Sequence, residues 1–238
     1  MKKAIVIGAT SGIGKELAKI LAQNNFIVGI TGRRENLLRE LKKENPESFI
    51  IKSFDISLPD NNYKNLSELV TELGGLDLIV INSGTGNGND NLDFKIEKET
   101  IDTNILGFTE ISGWAFNYFS KQGFGQIAIV SSIAGIRGGR FAPAYSASKA
   151  YQINYIEGLR QKANKLKLQI CFTDIRPGFV DTPMAKSDNK FWVSTPHKAS
   201  KQIYDAIKRK KKIAYITKRW ILIAYLLKLL PKFIFDKI

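Results

Sequence analysis

The chain has 238 residues, 44% of them hydrophobic, which is enough apolar material for a sizeable core; α/β folds of this length routinely form one domain. One histidine, His197, and one cysteine, Cys171, exclude a multi-ligand metal site and a disulfide framework, and point to metal-independent chemistry in a reducing compartment. The net charge of +14 comes with no DNA- or RNA-binding motif, so nucleic acid is discounted as a partner, and part of the charge suits attraction of an anionic small molecule.

In chain order, a first strand at 3–7 feeds Gly8-Ala9-Thr10-Ser11-Gly12-Ile13-Gly14, a tight turn leading into a helix. Glycines there supply dihedrals closed to other residues and let a pyrophosphate approach the exposed amides of a helix N-terminus, with Thr10 and Ser11 as added hydroxyl donors. The apolar run after Lys2-Lys3 is too short for a secretory signal and breaks at Thr10-Ser11-Gly12, so a cytoplasmic location is expected. A second strand at 26–31 ends in Gly32-Arg33-Arg34. A carboxylate at that point would favour NAD, whereas arginine accommodates a 2′-phosphate; Arg33 and Arg34, with Lys15 nearby, therefore favour NADP(H) over NAD(H). The same two arginines would also suit a solvated helix start.

A third strand at 48–54 is followed by Asp55-Ile56, where Asp55 can cap the turn before Ser57-Leu58-Pro59. Further strands are expected at 76–81, 126–131, 168–174 and 213–216, with helices between. One of these helices, 196–210, starts from Ser194 or Thr195 ahead of Pro196. The alternation predicts a Rossmann-like α/β fold: a doubly wound parallel sheet of about seven strands, covered on both faces, in a single domain. No linker, repeat or low-complexity tract interrupts it.

Ser132 precedes Tyr145 by thirteen positions, and Lys149 follows four later in Tyr145-Ser146-Ala147-Ser148-Lys149. On a helix, that spacing of four puts phenol and ammonium on one face. Lowering a tyrosine pKa by roughly 3 units from about 10 needs about 4 kcal/mol. A unit charge about 4 Å away at an effective dielectric of about 20 supplies that much, so a depressed Tyr145 pKa is expected.

With the glycine turn and the Tyr-x-x-x-Lys pair, four further segments resemble the short-chain dehydrogenase/reductase family in its small single-domain branch. They are Ile79-Val80-Ile81-Asn82-Ser83-Gly84, Asn104-Ile105-Leu106-Gly107, Ile129-Val130-Ser131-Ser132-Ile133-Ala134-Gly135 and Pro177-Gly178-Phe179-Val180-Asp181-Thr182. The resemblance covers residues 3 to about 216, with Ile7 and Ser83 standing where the family usually has threonine and alanine. It implies hydride transfer between a nicotinamide and a carbonyl or alcohol, with Tyr145 as general acid or base, Ser132 bonded to the reacting oxygen, and Lys149 tuning Tyr145 and holding the ribose. Asn104 would anchor water in a proton relay. The resemblance further places Gly8, Thr10, Ser11, Gly12, Ile13 and Gly14 at the pyrophosphate and Asp55 and Ile56 at the adenine. Asn82 and Gly84 would lie along the cofactor's middle, and Pro177, Val180 and Thr182 at the nicotinamide. A homodimer or homotetramer pairing helices near 100–121 and 145–165 is implied as well. The alternative is a catalytically silent NADP-binding regulatory or scaffold protein.

The segment Met184 to Trp192, with Phe179, suggests an aromatic pocket wall and a lipophilic substrate. The last part, 217–238, reads as a hydrophobic, basic extension of the domain 1–216. From 209 to 238 nine Lys or Arg face one acidic residue, Asp236, a net +8. The uncharged run Trp220 to Leu227 is too short for a bilayer span, which takes about 20 residues. A helix apolar on every side must be buried. Three readings stay open: a core or subunit-interface helix, a lid on the pocket, or an interfacial anchor on an anionic membrane. Pro231 should end the helix.

Overall fold

Four consecutive apolar residues near the N-terminus set the architecture. Ala4, Ile5, Val6 and Ile7 are all fully buried, and because side chains alternate along a strand, Ala4 and Val6 enter one hydrophobic layer while Ile5 and Ile7 enter another. A strand covered on both faces belongs in the middle of a parallel sheet. The computed structural model, which describes residues 1–58, 61–184 and 191–236, shows such a sheet.

Its seven strands are β1 (Lys2–Ile7), β2 (Phe26–Gly32), β3 (Phe49–Ser53), β4 (Leu78–Ile81), β5 (Phe124–Val130), β6 (Gln169–Pro177) and β7 (Ile213–Ile216). They are all parallel in the order β3-β2-β1-β4-β5-β6-β7. The helices are α1 (Gly12–Gln23), α2 (Glu35–Glu44), α3 (Asn62–Leu73), α4 (Phe94–Ile101), α5 (Phe108–Gln122), α6 (Pro143–Lys165), α7 (Pro196–Lys208), α8 (Trp220–Leu229) and α9 (Lys232–Phe235). One layer packs Leu17 and Leu21 of α1, Leu38 and Leu41 of α2 and Ile203 of α7 on the sheet. The opposite layer packs Leu66 and Leu69 of α3, Ile111 and Phe119 of α5 and Ile156 of α6. The strand order reverses between β1 and β4, and the carboxyl ends on either side of that point leave a crevice between diverging loops.

The expected strands and the start of α7 are present; Thr195, not Ser194, supplies the cap, its Oγ1 accepting from Lys198 N at 3.3 Å. Two differences matter. β6 runs on to Pro177, past the expected end at 174, which draws Arg176 into the buried sheet beside Asp174. The C-terminal helix α8 is buried along one side only. Trp220 and Ala224 are covered, while Leu222, Tyr225, Leu226 and Leu229 point outward, so the expected burial on every side is not found. The helix stops before Pro231, and α9 follows. Arg137, in the loop after β5, donates to the carbonyls of Leu227 at 2.9 Å and of Leu230, taking up free acceptors at the end of α8.

The turn from β1 to α1 is packed to its limit. A Cβ on Gly14 would overlap the Gly8 carbonyl oxygen and crowd the Asn82 carboxamide. Gly14→Ala is therefore expected to lower the unfolding free energy by about 1–3 kcal/mol, read as a shift of the urea midpoint. An unchanged midpoint would mean that the turn can give way.

Candidate active site

A cleft of about 1030 Å³ opens at the carboxyl edge of the sheet. Every site residue expected from the sequence lines it except Gly14, which lies under the turn, and Asn104, which sits behind the wall.

At one end is the glycine turn. Gly8 (φ +87°) and Gly12 (φ +55°) hold left-handed conformations that other residues adopt only under strain. Gly8 N and Ala9 N both donate to Thr31 O, at 3.1 and 2.8 Å, and Asn82 Nδ2 donates to Gly8 O at 2.8 Å, so the turn is tied to β2 and β4. Ser11 precedes α1 without capping it through its side chain, and Ser11, Gly12 and Ile13 of this terminus line the cleft; uncapped first-turn amides are of the kind that suit an anion. Arg34 Nη2 lies over this turn, donating to Thr10 Oγ1 at 2.6 Å and Ser11 Oγ at 3.0 Å. Arg33 Nη1 pairs with Asp55 Oδ2 at 3.4 Å. Asp55 also accepts from Ser57 N at 3.0 Å and Ser57 Oγ at 2.8 Å, so it caps its own turn while facing the cleft. Lys15 does not join the arginines; its Nζ turns away to Glu44 at 3.7 Å, because the α1 residue after Gly14 faces α2.

At the other end Ser132, Tyr145 and Lys149 converge. Ser132 ends the β5 segment, and its Oγ accepts from Ala134 N at 3.1 Å. Tyr145 and Lys149 lie one turn apart near the start of α6, which Pro143 opens. Lys149 is 3% exposed, and its Nζ donates to Val130 O at 2.9 Å and Gln152 Oε1 at 3.0 Å, 5.8 Å from the Tyr145 ring centre. Burial brings its pKa from the ordinary 10.5 down to about 8, against an opposing pull from the Asp174 carboxylate. Tyr145 moves opposite to the sequence expectation. Its depth in the cleft pushes the phenol pKa up, and the hydrogen bond with Ser132 draws it back only in part. The sequence estimate counted the lysine's charge and left out the desolvation of the phenolate.

Asn104 is fully buried in a π-helical turn, Asp102–Gly107, between α4 and α5. Its side chain clamps the loop after β4, accepting from Thr85 N at 2.9 Å and donating to Thr85 O at 2.7 Å, and it also donates to Ser148 Oγ at 3.0 Å. Its main-chain carbonyl accepts from Gln152 Nε2 at 2.9 Å. The Gln152 carboxamide thus bridges Asn104 and Lys149.

Gln152 was missed by sequence reasoning, since its only signal is its place three residues after Lys149 on the same helix. Also missed was a buried network beneath the site. Ser131 Oγ donates to Asp174 Oδ1 at 2.5 Å, Asp174 pairs with Arg176 at 2.6 Å, and Arg176 Nη1 donates to the Tyr215 hydroxyl at 3.2 Å. Two charges at a spacing of two inside an apolar strand were its visible signal. Trp220, in the tail segment for which a lid on the pocket was one of three open readings, lines the cleft and packs so closely on Gly178 that a Cβ there would overlap the indole. Met184, Phe179 and Phe191 line the cleft as expected, and Trp192 stands behind Trp220; residues 185–190 of the expected wall lie outside the described residues.

A family model described as short chain dehydrogenase matches residues 2–191. An uncharacterized oxidoreductase of Myxococcus xanthus is 33% identical over 194 residues, covering 79% of this chain and 76% of its own. The 3-oxoacyl-(acyl-carrier-protein) reductase of Chlamydia muridarum is 29% identical over 198 residues, covering 79% and 78%. Among solved structures, a short chain dehydrogenase/reductase from Burkholderia phymatum in complex with NAD superposes with a TM-score of 0.85 at 16% identity, covering 94% of this chain and 92% of that one. An alcohol dehydrogenase from Thermococcus sibiricus complexed with 5-hydroxy-NADP gives 0.78 at 21%, covering 90% and 94%. These two likenesses speak for the fold.

The buried lysine makes stability depend on pH. With Lys149 at about 8 when folded and 10.5 when unfolded, the unfolded chain holds the extra proton between those values, so this residue's contribution to stability rises as pH rises through the window. Relative to Lys149→Met, the wild type should gain on the order of 3 kcal/mol from pH 8 to above pH 10, measured by urea unfolding across pH. A flat difference would show that the ammonium is not desolvated.

Proposed function

This chain belongs to the short-chain dehydrogenase family, whose relatives include oxidoreductases, and on that premise we propose that it is an NADP(H)-dependent oxidoreductase interconverting a carbonyl and an alcohol. The observation that carries the reading is one cleft with two complementary ends. Uncapped amides and two arginines stand at one end, and Ser132, Tyr145 and Lys149 at the other.

The residues present fit a dinucleotide. The amides around Ser11, Gly12 and Ile13 would hold the pyrophosphate, with Gly8 and Gly14 permitting its approach and Thr10 adding a hydroxyl. Arg34, already bonded to Thr10 and Ser11, would take a 2′-phosphate with Arg33; no carboxylate is found at the end of β2 to prefer the free hydroxyl. Asp55 and Ile56 would bound the adenine, Asn82 and Gly84 the middle, and Pro177, Val180 and Thr182 the nicotinamide.

When bound, the nicotinamide supplies or accepts the hydride. Tyr145 gives its proton to the oxygen that becomes the alcohol. A phenol held protonated by its surroundings is suited to that direction. Ser132 donates to the same oxygen, a contact typically worth about 2.7–4 kcal/mol in the barrier. Lys149, fixed by Val130 O and Gln152, orients the ribose and places positive charge beside the phenol as it ionises. Phe179, Phe191 and Trp220 wall the substrate end with apolar surface, which supports a lipophilic carbonyl. The protein is read as cytoplasmic and as a dimer or tetramer joined through the α4–α5 and α6 faces, with 217–238 continuing the same domain.

Titration of the protein with NADPH and NADH by nucleotide fluorescence should show tighter NADPH binding, and Arg33→Ala/Arg34→Ala should weaken NADPH by about tenfold or more while sparing NADH. Equal affinity in the wild type would remove the phosphate role. Tyr145→Phe should bind the nucleotide normally and lose about a hundredfold or more in kcat on a carbonyl substrate. Undiminished turnover would end the proposed mechanism, and nucleotide binding without any turnover in the wild type would favour the silent scaffold.

A further inference from the structure

We propose that the outward face of α8 and α9 is a docking surface for an anionic lipid bilayer, and that the cleft opens beside it. The face is apolar without interruption. Leu222, Leu226 and Leu229 are 66%, 59% and 80% exposed on one side of α8, with Tyr225 between them, and Phe233 of α9 is 69% exposed. Leu222, Leu226 and Leu229 recur at spacings of four and three, so within α8 they form one stripe opposite the buried Trp220 and Ala224, and Phe233 adds a further exposed ring from α9.

Length decides how such a helix meets a membrane. Ten residues of helix reach about 15 Å, half of the roughly 30 Å hydrocarbon core. Among the described residues no helix is long and apolar enough to cross. The stripe therefore lies along the interface, its side chains dipping among the acyl chains.

Charge selects the lipid. Lys218, Arg219, Lys228 and Lys232 border the stripe and are exposed, against the single acid Asp236. No ion pair among the described residues engages Lys218, Lys228 or Lys232. A second copy seated on this face would bring basic borders together, whereas anionic headgroups meet them with opposite charge. The aromatic Tyr225 and Phe233 suit the headgroup level.

Arg137 ties the far end of α8 to the loop after Ser132, and Trp220 at its near end lines the cleft and touches the exposed rings of Phe191 and Trp192, with centres 5.0 and 5.9 Å away. The helix that presents the docking surface on its outward side thus walls the cleft with its inward one. Resting on the redox reading, a lipophilic carbonyl would enter directly from the bilayer.

The test is co-sedimentation of the full chain with phosphatidylcholine vesicles, with and without phosphatidylserine. Binding should require phosphatidylserine and weaken as salt is raised. Leu222→Glu/Leu226→Glu and Lys228→Glu/Lys232→Glu should each weaken it about tenfold or more, with unchanged circular dichroism because all four side chains are exposed. Equal binding to both vesicle types, no binding to either, or full retention by these variants overturns the proposal, as does sedimentation velocity showing that the leucine variant splits an oligomer. Tyr145→Phe should bind vesicles like the wild type, which separates a failure of docking from a failure of the redox reading. The leucine variant should lose turnover of a vesicle-embedded long-chain aldehyde and keep that of a water-soluble one; equal loss of both overturns entry from the bilayer.

Discussion

A lysine ammonium almost wholly withdrawn from water stands at the centre of this protein, and much of the surrounding structure compensates for it. An isolated charge cannot be buried without partners. Lys149 has two acceptors, the last carbonyl of β5 and the Gln152 carboxamide, and it feels the field of Asp174. Asp174 is itself buried and is balanced by Arg176 and Ser131, while Arg176 rests on Tyr215 of β7. The site and the β5–β6–β7 half of the sheet are therefore one electrostatic unit.

The same lysine connects through Gln152 and Asn104 to the loop after β4. The π-helical turn between α4 and α5 puts the Asn104 carbonyl where Gln152 can reach it and leaves the Asn104 side chain to fix the backbone of Thr85. Local widening of a helix at a functional position is a known use of π geometry. In consequence α5, α6 and the loop after β4 hold the phenol and the ammonium in register, while the glycine turn on β1 and α1 faces them across the switch point of the sheet. The two ends of the cleft come from strands on opposite sides of that point, the expected place for a ligand in an open parallel sheet.

The C-terminal helix shapes both the cleft and the surface. Trp220 closes on Gly178 and turns the substrate end aromatic, and the remainder of α8 leaves a wide apolar face to solvent beside basic side chains. A contiguous exposed patch of this kind marks a surface with a function.

Local spacing determined a great deal. The apolar runs, the glycine turn and the Tyr145–Lys149 interval predict the strands, the parallel sheet and the two ends of the cleft, because period, turn dihedrals and helical faces are properties of neighbouring residues, and the family resemblance supplied most of the lining between them. Arg33 and Arg34 were equally legible as a basic pair at the end of β2. What only the tertiary structure decided concerns groups far apart in the chain. Burial reversed the expected shift of Tyr145, Lys15 turned to Glu44, Gln152 came between Asn104 and Lys149, and Trp220 entered the cleft from the tail. Desolvation and through-space fields depend on how much protein surrounds a group and which distant charge faces it, and neither is written in the spacing of residues along a chain.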